Sequence, residues 1–219
     1  MNNYSYNSLI PSGIYSLVVI GFWTIWCLLM VEWPQIFALP SVRAIARVSI
    51  VFVPAMIFYL RGNYENSIFD YFLLRKNWVQ GVIFGVGIAT LYFSLGWLVN
   101  GDTRQSAFHF PTGFSIWVNF ILGSPLAEEA FFRGVLLQEL RTAMGTTLAT
   151  VVSAFAFTLL HLPQWLILDN LFGVELLSLS LTIFTYGIIF AIFVNLTQSL
   201  WASLLPHWIN NFILQALAN

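Results

Sequence analysis

Charge is what this sequence has least of. Asp, Glu, Lys and Arg make up 8% of its 219 residues, against about 25% in an average soluble domain. A water-facing surface needs roughly 25–35% charged side chains, so the chain cannot cover a globule with polar groups. A soluble enzyme and a disordered chain are excluded on this ground. Neither sign is in excess: 8 basic and 9 acidic residues give a net charge of -1. That balance offers no basic patch to a phosphate backbone, so no nucleic-acid partner is expected. Cysteine is almost missing as well. Cys27 stands alone in an apolar run, permits no intramolecular disulfide, belongs to no thiolate metal cluster, and reads as packing.

What the chain has is apolar surface. Hydrophobic residues reach 59% and aromatic residues 17%, with a mean hydropathy of +0.82. These values describe a protein whose solvent is lipid, an integral multi-pass membrane protein. At roughly 20 residues per crossing, about seven spans fit, joined by short loops. No linker splits the chain, so residues 1–219 form one membrane domain. Met1 to Ser12 carries no Lys or Arg and the apolar run after it exceeds a signal core, so it is expected to be the first span, not a cleaved signal.

The spans are expected near Ser12–Val31, Ala44–Leu60, Trp78–Val99, Gly113–Leu137, Thr146–His161, Leu176–Leu196 and Leu200–Leu217. Glu32-Trp33-Pro34 closes the first with an interfacial aromatic and a breaker. Arg43 and Arg47 are placed to snorkel from the first turn of the second. Between spans two and three, Arg61–Asn77 mixes aromatic and charged residues, as in a short interfacial helix. Gly81 and Gly85 suit close helix packing in span three. Asn100–Thr112 reads as a polar loop, in which His109 is an ordinary interfacial residue. Gly123-Ser124-Pro125 signals a kink in span four. Pro163 is expected to stop span five, with a wet loop over Gln164–Gly173. Arg61, Arg75, Lys76 and Arg141 against Arg43, Arg47 and Arg104 give a faint preference for a cytoplasmic N-terminus.

The few charges are not scattered. Span four holds Glu128, Glu129 and Arg133, and spans five and seven hold His161 and His207. One charge at the centre of a lipid-facing helix costs roughly 2.5–3.5 kcal/mol, so this cluster must face itself or water. Glu129 and Arg133 are i,i+4 and can pair. Glu128 lies about 100° round the helix, where Arg133 is less placed to neutralise it. His207 and Asn211 share a face, and so do Phe157 and His161. Pro125, Pro163 and Pro206 flank these positions. Proline frees backbone carbonyls, which membrane proteins tolerate where they line a cavity. A small polar chamber between spans four, five and seven follows.

Three patterns lie here in order. Glu128-Glu129-Ala130-Phe131-Phe132-Arg133-Gly134 is EExxxR followed by Gly, Phe157 to His161 is FxxxH, and His207 to Asn211 is HxxxN. On successive apolar spans, they resemble the CPBP family of CAAX prenyl proteases and bacteriocin-processing proteins, also called the Abi family. The matched region is the C-terminal half, so the catalytic core is placed at 113–217 and the N-terminal spans, 12–99, are accessory. The resemblance implies an all-α membrane bundle enclosing a catalytic cavity, and a hydrolase that cuts peptide bonds in or beside the bilayer. It implies Glu128 as the base that activates water with His161 assisting, Glu129 and Arg133 completing the acidic motif, and His207 with Asn211 holding the oxyanion. The implied substrate is a membrane-associated peptide or lipidated protein, met at the cell membrane if the source is bacterial.

The chemistry of the residues agrees. Amide hydrolysis needs a base for water and donors for the developing oxyanion. No cofactor is required by this scheme. A Zn²⁺ held by Glu128, His161 and His207 stays open, although HExxH is absent; direct glutamate activation is favoured. Two other functions compete. A non-catalytic immunity or scaffold protein of the same fold would tolerate replacement of Glu128. A proton-coupled carrier would use the acids and imidazoles as a relay, but no repeated half-structure supports it.

Overall fold

The computed structural model describes residues 9–37, 39–61, 67–100, 113, 117 and 125–217. Among them every regular element is helical and there is no strand. In lipid the backbone has no route to hydrogen bonds except its own, so the long apolar runs form helices. In chain order they are α1 (Leu9–Glu32), α2 (Pro34–Phe37), α3 (Pro40–Arg47), the π-helical turn π1 (Val48–Phe52), α4 (Val53–Arg61), α5 (Ile68–Tyr71) and α6 (Trp78–Asn100). Then follow α7 (Ala127–Glu129), π2 (Ala130–Leu136), α8 (Leu137–Met144), α9 (Thr146–Pro163), π3 (Gln164–Leu168), α10 (Gly173–Thr197) and α11 (Trp201–Leu217).

Four helical stretches are long and apolar enough to cross a membrane: Gly13–Glu32, Ser41–Arg61, Thr146–Leu168 and Gly173–Thr197. They coincide with the expected spans one, two, five and six. Their outer faces are exposed apolar surface, as with Leu17, Ile45, Phe155 and Leu181, which is the pattern of an integral membrane bundle in lipid. The expected third and seventh spans are the helices α6 and α11. Much of the expected fourth span lies outside the described residues, namely 114–116 and 118–124, as do 62–66, His109 and Arg104.

Two expectations about the fifth span are corrected. Pro163 does not stop it, and the stretch from Gln164 is not a loop: the chain continues helically through π3 to Leu168. Proline removes one i→i−4 bond and crowds the carbonyl a turn before it. The wider π turn that follows lets the helix pass the ring and stay wound. Extended or turn backbone is confined to Asp169–Phe172.

Close packing sets the positions of the motif helices. α6 lies on α11 and α9 on α10. A Cβ added at Gly81 would collide with Ser199, and one at Gly85 would stand 2.7 Å from Trp201 O, so the two glycines are the contact that spacing predicts. The turn leading into α11 is pinned from the side. Leu200 N donates to Leu73 O at 3.0 Å, Trp201 Nε1 to Leu74 O at 2.8 Å, and Asn77 Nδ2 to Thr197 O at 3.0 Å. The short helix α5, capped by Ser67, leads into this turn. Gly145, at φ 79°, supplies the left-handed corner between α8 and α9 that turns the chain back on itself. Buried Phe131, Phe132, Leu137, Phe157 and Leu200 fill the space between these helices.

Candidate active site

The acidic motif sits where α7 passes into π2, inside the bundle. Glu129 and Arg133 are 0% exposed and Glu128 is 3% exposed. Arg133 Nη1 donates to Glu129 Oε1 at 3.0 Å, the i,i+4 pair that the spacing predicts. Arg133 also points Nη2 at Gly187 O, 3.4 Å away on α10, and its guanidinium carbon lies 4.3 Å from the centre of the Phe157 ring. A buried guanidinium is costly unless paired. Here a carboxylate, a carbonyl and a ring face divide that task.

The same carboxylate oxygen reaches α11. His207 Nδ1 lies 2.9 Å from Glu129 Oε1. With Glu129 ionised, that ring nitrogen carries the proton and donates. Nε2 is then turned to the other side, 3.9 Å from Glu128 Oε2. His207 is held between Phe157 and Phe190, with ring centres at 6.2 and 5.5 Å. Pro206 lies inside α11, one residue before it.

His161 comes from α9. Its Nδ1 lies 2.9 Å from Phe157 O, and the two rings meet edge to face at 4.8 Å. Against the carbonyl a neutral imidazole places its proton on Nδ1, which leaves Nε2 as an acceptor. His161 and Glu128 line one cavity together with Trp23, Arg47, Val51, Leu160 and Gln164. The cavity has room for about one water molecule.

Five of the six residues singled out in the sequence therefore converge: Glu128, Glu129, Arg133, His161 and His207. Asn211 lies a turn beyond His207 and is half-buried, with Asn210 Nδ2 donating to its Oδ1 at 3.4 Å. The contact made by His207 is with Glu129, which the motif spacing did not foretell.

The residues do not fit a zinc centre. Among the described residues no three of His, Cys, Asp and Glu gather as a metal-binding set.

The position of Arg47 departs from expectation. It does not snorkel to the interface. Its Nη2 donates to Gln164 Oε1 at 3.0 Å and its guanidinium lies 5.0 Å from the Trp23 ring centre. It was a charge within an apolar span, the signal by which the other site residues stood out. Its place in the first turns of the span disguised it.

In comparison with known protein families, residues 110–213 fit the family model described as type II CAAX prenyl endopeptidase, Rce1-like. No curated protein sequence and no solved structure matches the chain. The matched residues include all three motifs and exclude Arg47 and Trp23.

Proposed function

Through residues 110–213 the chain belongs to the Rce1-like family of type II CAAX prenyl endopeptidases, the intramembrane proteases of the CPBP family, and from that premise we propose that Glu128 is its general base. The reading is an endopeptidase that hydrolyses a peptide bond of a membrane-associated peptide or lipidated protein, in or beside the bilayer. The observation that carries it is the cavity for about one water, lined by Glu128 and His161 within the helical bundle.

The water donates one hydrogen to the Glu128 carboxylate and the other to His161 Nε2, since both are acceptors. Its lone pairs face outward. Glu128 takes a proton as the oxygen bonds to the carbonyl carbon, and returns it to the nitrogen as the C–N bond breaks. Glu129 and Arg133 hold His207 with Nε2 in the direction of Glu128, where it can donate to the polarised carbonyl once protonated or meet the substrate through water. Asn211, on the same face of α11, completes the oxyanion donors as the substrate settles. Preorganised donors at such a point stabilise the transition state more than they would in water.

The test is Glu128→Gln, which keeps the shape and removes the base. Membrane peptides that accumulate in cells carrying it are identified and then offered to purified wild type and variant. The expected result is a loss of cleavage of about 100-fold or more with an unchanged unfolding temperature. Full proteolysis by the variant, or a phenotype indifferent to Glu128, would leave a non-catalytic scaffold or immunity protein as the description.

A further inference from the structure

The cavity beside Glu128 has a wall that the three motifs do not supply. Arg47 stands in it, at the last position of α3, outside the matched residues 110–213. Two contacts from separate helices fix its guanidinium: Gln164 Oε1 at 3.0 Å and the Trp23 ring at 5.0 Å. Gln164 opens π3, and π1 begins directly after Arg47 and contributes Val51 to the same wall. Such turns recur at functional sites. Here two of them deliver a cation and its amide partner to the cavity that Glu128 and His161 share.

The hydrogen-bonding capacities in this cavity define the task of the cation. The Glu128 carboxylate only accepts, and His161, with Nδ1 on Phe157 O, presents Nε2 as a second acceptor. Together they take both hydrogens of a water. A guanidinium is all donors, and its planar fork matches a carboxylate. It can therefore hold the water from its lone-pair side, leaving the other lone pair for attack.

Resting on the glutamate-activated water described above, we infer that Arg47 positions that water and then binds the carboxylate oxygen it becomes. The water oxygen bonds to the carbonyl carbon and one of its protons goes to Glu128. The C–N bond breaks and Glu128 protonates the leaving nitrogen. The second water proton passes to His161 Nε2 and from there to solvent, so the acyl product ends in a carboxylate and the other fragment in an amine. The oxygen that entered from the cavity stays on the carboxylate, beside the guanidinium. The site is thus a receptor for the C-terminal carboxylate of the acyl product, built by the N-terminal spans onto the catalytic domain.

Product binding tests this without turnover. N-acetyl-S-farnesylcysteine, a prenylated residue with a free carboxylate, and its carboxamide are titrated into the purified full-length protein in detergent micelles. Wild type is expected to bind the acid about tenfold or more tighter than the amide, as for a hydrogen bond to a charged group. Arg47→Met is expected to bind both alike, and Arg47→Lys to keep part of the preference. Gln164→Leu, which frees the guanidinium from its amide partner, is expected to weaken the preference in between. Unfolding temperatures of the variants show that the bundle is intact. Equal binding of acid and amide by wild type, or a preference that survives Arg47→Met, overturns the inference. Glu128→Gln is expected to lose cleavage yet keep the acid preference, so failure of the base reading and failure of the Arg47 reading are seen in separate measurements.

Discussion

His207 Nδ1 and Glu129 Oε1 lie 2.9 Å apart, and that oxygen also takes Arg133 Nη1 at 3.0 Å. One carboxylate oxygen thus serves two donors from two helices. The consequence is directional: with Nδ1 held by Glu129, Nε2 of His207 looks toward Glu128. The second glutamate of the motif orders the imidazole.

Glu129→Gln should therefore fail twice. It removes the negative charge between two buried nitrogen donors and leaves Arg133 without its counter-charge, at a cost of about 3–5 kcal/mol. The unfolding temperature in detergent should fall and cleavage should be lost. The double variant Glu129→Leu with Arg133→Met removes both charges, and burial of an apolar pair is often neutral or stabilising. It should recover most of the stability and none of the activity. A double variant that cleaves at the wild-type rate would show that the pair only holds helices together.

Phe157 touches three parts of the site. Its ring lies 4.3 Å from the Arg133 guanidinium carbon, 4.8 Å from the His161 ring and 6.2 Å from the His207 ring. A desolvated cation–π contact is worth about 2 kcal/mol. Phe157→Leu should lower stability by about that amount and reduce turnover about tenfold, because both imidazoles lose a wall. Thermal unfolding and a turnover assay check it. Unchanged turnover would separate the ring from the positioning of the histidines.

Much of this site could be read from the chain because its information is local. Glu129 and Arg133 pair through i,i+4 spacing, and Phe157 and His161 meet for the same reason. The charges of the acidic motif stand out against an apolar background where each is expensive. Other features depend on geometry that no short pattern encodes. Glu129 and His207 meet only because α11 is pinned by Leu73, Leu74 and Asn77. Arg47 finds Gln164 across 117 positions of sequence. Whether an arginine near the start of a span snorkels or turns inward depends on which helix lies beside it. Pro163 looks like a stop because the π turn that absorbs it has no residue signature of its own.

Gly187 tests the packing that backs Arg133. An added Cβ there would stand 2.9 Å from both Cα and Cβ of Ala154, and Gly187 O receives Arg133 Nη2 at 3.4 Å. Backbone cannot swing aside as a side-chain tip can. Gly187→Ala should push α10 from α9 and cost about 1–3 kcal/mol, read as a lower unfolding temperature. Adding Ala154→Gly removes the clash with Cβ but leaves that with Cα, so it should restore stability in part. A Gly187→Ala variant as stable as wild type would mean that the two helices have room to separate without loss.

Asn211 makes the sharpest distinction between architecture and chemistry. It is half-buried, its carbonyl oxygen takes a 3.4 Å contact from Asn210, and it stands one turn from His207 on the same helix. Removing its amide breaks no contact within the acidic cluster, so Asn211→Ala should shift stability by less than about 1 kcal/mol. If its amide donates to the carbonyl oxygen only when the charge develops, the loss falls on turnover. Removing a donor of that kind costs about 100-fold or more in kcat, with KM little changed. Steady-state kinetics with a peptide cleaved by wild type gives the answer. A rise in KM at constant kcat would make Asn211 a substrate-binding residue, and no change in either would remove it from the site, leaving His207 and the cation of Arg47 to meet the charge on the reacting oxygens.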